Sequence, residues 1–92
     1  MNKQKVLVVT SVAAERDAVL RGLQGDNRFA VEIGGVGPVA AAVGTARILS
    51  RSAFDLVICA GICGGFAGRG EVGAVVVADA IICADLGAET AE

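Results

Sequence analysis

The sequence predicts an α/β fold around a largely parallel sheet. Three observations predict it. Two runs, "KVLVVTSV" at 5–12 and "DLVICAG" at 55–61, are almost continuously apolar and hold β-branched residues, the pattern of strands buried on both faces. Segments with helical spacing lie between the strand-like runs, so strand and helix alternate along the chain. No linker, internal repeat or low-complexity segment interrupts that alternation.

Each element has its own reason. The first strand is "KVLVVTSV". In the following "AAERDAVLRGLQG", Ala14, Ala18, Val19 and Leu23 recur at helical spacing, and Gly25 is the natural stop. "RFAVEIG" at 28–34 alternates apolar and polar residues and reads as a shorter strand. "GGVGP" is a loop, and Pro38 suits the first turn of the helix continued by "VAAAVGTARILSRS". Asp55 opens the next strand, and a glycine-rich loop through Gly61, Gly64 and Gly65 follows it. "GAVVVADAIICADLG" is a further apolar stretch, strand-like through Val77 until Asp79 interrupts it.

Size and composition bound the rest. A chain of 92 residues is one small domain or part of a larger one, and at this size about two-thirds of the unfolded surface, or less, becomes buried. Hydrophobic residues make up 54%, above the usual ~45–50%. A parallel sheet needs helices on both faces, and only two helices are available. Residues 1–92 therefore read as the N-terminal part of a single larger domain, and oligomerisation is the other way to cover so apolar a chain. The net charge is -2, no basic stripe occurs, and the only aromatics are three Phe, so nucleic-acid binding lacks both its electrostatic footprint and its stacking platform. No apolar run reaches the ~20 residues that span a bilayer. The start reads as a strand and not as a signal peptide, which makes the cytoplasm the expected location. Cys59, Cys63 and Cys83 sit in apolar runs and read as buried free thiols. With no histidine in the chain, neither a closed zinc site nor a His-activated nucleophile is expected. No cofactor is expected.

Three constellations carry possible chemistry. Gly35-x-Gly37-x-x-Ala40 has the spacing of a dinucleotide fingerprint, but it follows the second strand, and Asp55 lies at the beginning of the next strand instead of its end. A tight turn and the wall of another ligand pocket are the alternatives. Glu15 falls just past the carboxyl end of the first strand, where open α/β sheets bind ligands; an acid there also complements a helix dipole. Arg16 and Asp17 read as solvated or paired on the helix surface. Gly61, Gly64 and Gly65 let a backbone approach a ligand closely or simply turn; no Gly-Lys-Ser/Thr is present, which excludes a Walker phosphate loop. The loops after residues 10, 34 and 60 thus converge on one sheet edge.

"VLVVTSVAAERDAVL", "GGVGPVAAA", "DLVICAGICGGF", "VGAVVVAD" and "ADLGAET" together resemble, in order and spacing, the futalosine hydrolases of the nucleoside phosphorylase/nucleosidase superfamily. Methylthioadenosine/S-adenosylhomocysteine nucleosidases are close relatives of that family. The resemblance covers nearly all of this chain and less than half of a typical family member. It implies a three-layer α/β sandwich around a mixed, largely parallel sheet, usually in a homodimer or larger assembly. It implies hydrolysis of the N-glycosidic bond of futalosine, a purine nucleoside, to hypoxanthine and dehypoxanthine futalosine in menaquinone biosynthesis. Carried over by residue, Glu15 activates the attacking water, Ser11 lines the ribosyl pocket, and Val36 lies near the sugar. Ile62, Cys63 and Gly64 pass close to base and sugar. Many nucleosidases have serine at the position of Ile62, so a polar contact is lost here. Asp79 matches a recurrent, structural acid. Asp79 and Asp85 are not substitutes for the family's second catalytic acid, which lies beyond residue 92, as does the glutamate that holds the ribosyl hydroxyls. These residues alone are therefore expected to be inert. The early loop "TSVAAERD" lacks the Gly-Asp-Pro motif of the phosphorylases, and Arg69 reads as a surface residue, so water is the expected nucleophile. The alternatives are another nucleosidase or phosphorylase of the superfamily, or a non-catalytic α/β binding module.

Overall fold

The computed structural model describes residues 4–84. Its elements are β1 (Val6–Thr10), α1 (Ala13–Leu23), β2 (Phe29–Ile33), α2 (Pro38–Arg51) and β3 (Leu56–Cys59). The strands form one parallel sheet in the order β2-β1-β3, with Val6 opposite both Phe29 and Leu56. The α/β class and the parallel sheet are those the alternation predicts. β1 is the centre and the core: Val6, Leu7, Val8, Val9 and Thr10 are all buried, and Leu7 is fully so. An unbroken apolar run with β-branched residues suits a strand flanked by neighbours on both edges.

β1 ends at Thr10, short of the expected residue 12, because the Ser11 and Val12 amides turn to the Glu15 carboxylate. In α1, Glu15, Val19 and Leu23 are half-buried one turn apart, while Ala14 and Ala18 are exposed. The inward face is thus rotated from the one that the alanines predicted. The helix ends one residue earlier than Gly25 predicts: Gln24 already adopts a left-handed conformation (φ 51°), followed by Gly25 at φ 78°. Pro38 occupies the first turn of α2, as expected. Ala41, Gly44, Thr45 and Ile48 form its inward face. A Cβ on Gly44 would overlap the Gly34 carbonyl, and one on Gly34 would lie 2.6 Å from Val9 Cγ1. Two glycines thus let helix, loop and central strand meet at backbone distance.

Three expectations need correction. β3 is not buried on both faces: Leu56, Val57 and Ile58 are 40–50% exposed. It pairs with β1 along one edge, and among the described residues no element pairs with its other edge. The stretch expected to be strand through Val77 is irregular, with Val75 and Val77 each 94% exposed. Apolar, β-branched composition makes a strand only where a ladder partner is available. The three cysteines are free but exposed, because Cys59 lies on the uncovered strand and Cys63 and Cys83 lie beyond it. Asp85, and all but the first residue of "ADLGAET", lie outside the described residues.

The sheet order reverses at β1. The crossover through α1 leads from β1 to β2, and the one through α2 leads from β2 to β3 on the other side of β1. The carboxyl ends of β1 and β3 therefore flank a topological switch point, the crevice where open α/β sheets take their ligands.

Candidate active site

Glu15 stands at this switch point. α1 starts after Val12, whose backbone is extended and whose side chain has no acceptor to cap the helix. Glu15, three residues on, reaches back instead, which is half of a capping box. The Ser11 amide donates to Oε1 at 3.0 Å and the Val12 amide to the same oxygen at 3.3 Å. The Thr10 hydroxyl donates to the Val12 carbonyl at 3.3 Å and steadies the turn.

The other carboxylate oxygen crosses to a distant loop. Ile62 N–H donates to Glu15 Oε2 at 2.8 Å, 47 positions along the chain. The loop arrives there because the Ala60 amide continues the ladder onto Val9 O (2.9 Å), placing Gly61 and Ile62 just past the sheet. Glu15 thus joins the loop after β1 to the loop after β3. The Ile62 amide, followed by that of Ser11, holds the carboxyl below the ordinary glutamate range; the Val12 amide adds to this and partial burial opposes it. An ionised carboxylate is acceptor-only, with about four lone-pair positions. Among the described residues, two amides donate to Oε1 and one to Oε2, which leaves Oε2 able to accept one more donor. The lowered pKa keeps this carboxyl charged at neutral pH.

The structure brings Ser11 and Ile62 to Glu15 through their backbones. The serine expected at position 62 in many nucleosidases is therefore not needed for this contact, since the amide supplies it whatever the side chain. Cys63 and Gly64 are exposed on the same loop. With Ile62, they line an open concavity of about 780 Å³, bounded on its far side by Val75 and Val76. Glu15 and Ser11 lie outside that concavity. The concavity and the carboxylate cradle adjoin through Ile62, which lines the one and donates to the other. Val36, 71% exposed, sits after β2 on the same edge, which the Gly34 amide joins through Thr10 O at 2.8 Å.

Other candidates fall elsewhere. Asp55 lies at the opposite, amino edge, where its carboxylate accepts from the Lys5 amide at 2.7 Å, so the dinucleotide spacing has no acid at the right end. Arg16 pairs with Asp17 at 3.1 Å, as expected for a helix surface. Arg69 and Asp79 are exposed. Among the described residues no cluster of His, Cys, Asp and Glu is placed to hold a metal, and no helix is long and apolar enough to cross a membrane. Sequence reasoning missed one contact: Gly61, whose Cβ position would lie 3.0 Å from Glu15 Oε2. No local pattern marks it, because the two residues meet only through the sheet.

Known proteins carry the same sequence pattern. The chain is 44% identical to a futalosine hydrolase of Streptomyces coelicolor, over 95% of this chain and 46% of that protein. It is likewise 44% identical to a futalosine hydrolase of Acidothermus cellulolyticus, over 91% of this chain and 39% of that one. The chain thus spans less than half the length of these curated relatives. No solved structure matches it significantly. Residues 4–91 match the Phosphorylase superfamily, a span that includes both loops of the Glu15 cradle and every strand that presents them, and the chain belongs to that superfamily.

Proposed function

We propose that this chain is the N-terminal part of a single phosphorylase-like domain and supplies the water-activating side of a futalosine hydrolase. The observation that carries the reading is the Glu15 carboxylate, pinned across the switch point by backbone amides of both loops. The two futalosine hydrolases that share 44% of its residues support the substrate. In the reaction the bond between the sugar's anomeric carbon and the purine nitrogen breaks, and its electron pair leaves with the base. Water attacks the oxocarbenium-like carbon from the opposite face and gives its proton to Glu15. An acid protonates the departing hypoxanthine, the division of labour that two carboxyl groups give glycoside hydrolysis. That acid and the group holding the ribosyl hydroxyls belong to polypeptide beyond these residues. Ser11, Val36, Ile62, Cys63 and Gly64 border the sugar and base. The other product, dehypoxanthine futalosine, places the enzyme in menaquinone biosynthesis. Three free cysteines fit the reducing cytoplasm. The open edge of β3 fits further polypeptide or a homo-oligomer.

The test is Glu15→Gln in the full-length protein. Hypoxanthine release should fall by about 10²–10⁴-fold, the usual contribution of a general base, with nucleoside binding retained. Unchanged turnover removes Glu15 from the mechanism, and phosphate-dependent turnover replaces water with phosphate as the nucleophile.

A further inference from the structure

The glycines after β3 do not share one purpose. Gly68 (φ 82°) and Gly73 (φ 92°) hold positive-φ conformations that favour glycine. Gly64 and Gly65 have nothing within 4 Å of the position of a Cβ. Gly61 differs from both kinds. Its φ lies outside the left-handed region, so its backbone suits any residue. What sets it apart is its neighbour: a Cβ built there would stand 3.0 Å from Glu15 Oε2, 3.5 Å from Glu15 Cδ and 3.6 Å from Oε1. All three contacts are to one carboxylate. That carboxylate cannot swing aside freely, because three amides from two loops hold it.

We propose that Gly61 is a positioning residue, whose missing side chain sets where the Glu15 carboxylate sits and keeps Oε2 open to the reacting water. The inference rests on the reading of Glu15 as the base. A methyl group at residue 61 would press on Oε2, the oxygen with the spare acceptor position. The carboxylate must then move by a few tenths of an ångström or give up the Ile62 amide. Either response takes the base off its line to the sugar. Misplacing a catalytic group by 1 Å costs about 10²-fold, so a shift of this size should cost about tenfold. Valine at the same place adds two more carbons and should cost more.

The experiment separates this inference from the functional reading by using a readout that needs no turnover. In the full-length protein, the Glu15 carboxyl carbon and the Ile62 amide are followed by NMR across acid pH in the parent, Gly61→Ala, Gly61→Val and Gly70→Ala, the last at a loop glycine with nothing within 4 Å of its Cβ position. In the parent the Ile62 amide shift should follow the Glu15 titration. In Gly61→Ala that response should weaken and the Glu15 midpoint should rise toward the ordinary glutamate value; Gly70→Ala should match the parent. Kinetics on the same proteins should show kcat falling about tenfold for Gly61→Ala, with KM within about twofold. An unaltered Ile62–Glu15 coupling in both Gly61 variants overturns the positioning role, even where the valine variant is less stable. Altered coupling without any loss of kcat overturns the link to the reaction.

Discussion

At the scale of single residues, Glu15 decides most of what these residues can do. Its side chain is tied to the start of its own helix and to a loop 47 positions away. Both ties favour the charged form, so the folded protein holds the carboxyl at a lower pKa than the unfolded chain does. A depressed folded value contributes stability that is fully present above the unfolded value, about 4.3 for glutamate. That contribution is lost as the pH falls through the lower folded value. The Ile62 amide should therefore keep its hydrogen-bonded shift at pH 5 and lose it only below the ordinary glutamate range. Amide NMR against pH checks this, and an Ile62 transition above about pH 5 contradicts it. The sequence made Glu15 legible, because an acid just beyond a buried strand points to the ligand edge. It could not show the Ile62 amide or the Gly61 contact. Those depend on how far β3 runs before its loop turns, which the register with Val9 decides.

At the scale of elements, two glycines in helices have opposite meanings. Gly44 of α2 lies against Gly34, and any Cβ there overlaps backbone, which yields far less readily than a flexible side-chain end. Gly22 of α1 has nothing within 4 Å of its Cβ position. Gly44→Ala should destabilise the protein by about 1–3 kcal/mol, the usual cost of overpacking. Gly22→Ala should stabilise it by about 0.4–1 kcal/mol, by restricting the unfolded chain. Urea unfolding of both variants measures the contrast, and equal effects would mean that α2 does not sit on the loop after β2. Helical spacing located both helices but did not separate these glycines. Periodicity shows which residues recur on a face, while the closeness of that face to a backbone is a property of packing. For the same reason, the apolar run of β3 gave its strand character but not its burial. Hydrophobic composition does not reveal whether a second neighbour lies at the strand's edge.

For the molecule as a whole, the proposed hydrolysis needs more groups than the described residues bring together. Cleaving the glycosidic bond calls for a base, an acid for the leaving purine, and a hold on the ribose. Among the described residues, only amides hydrogen-bond the Glu15 carboxylate, and neither Asp55 nor Asp79 accompanies it: one lies at the far end of the sheet, the other exposed beyond β3. The surface tells the same story. The whole of β3 and the apolar residues from Ile62 to Ile82 are exposed, a large uncovered face of the kind that marks an interaction surface. The curated relatives are more than twice as long as the part of them that this chain matches. The purified 92-residue chain should therefore release no hypoxanthine from futalosine. A polypeptide of the relatives' length should release it, with the β3 amides protected from hydrogen exchange only in that longer form. Chromatographic detection of hypoxanthine beside exchange at Leu56–Cys59 reads both halves of the prediction. Release by the short chain would mean that the acid lies within these residues after all. Equal β3 protection in the two forms would mean that the open edge is not where the rest of the protein joins.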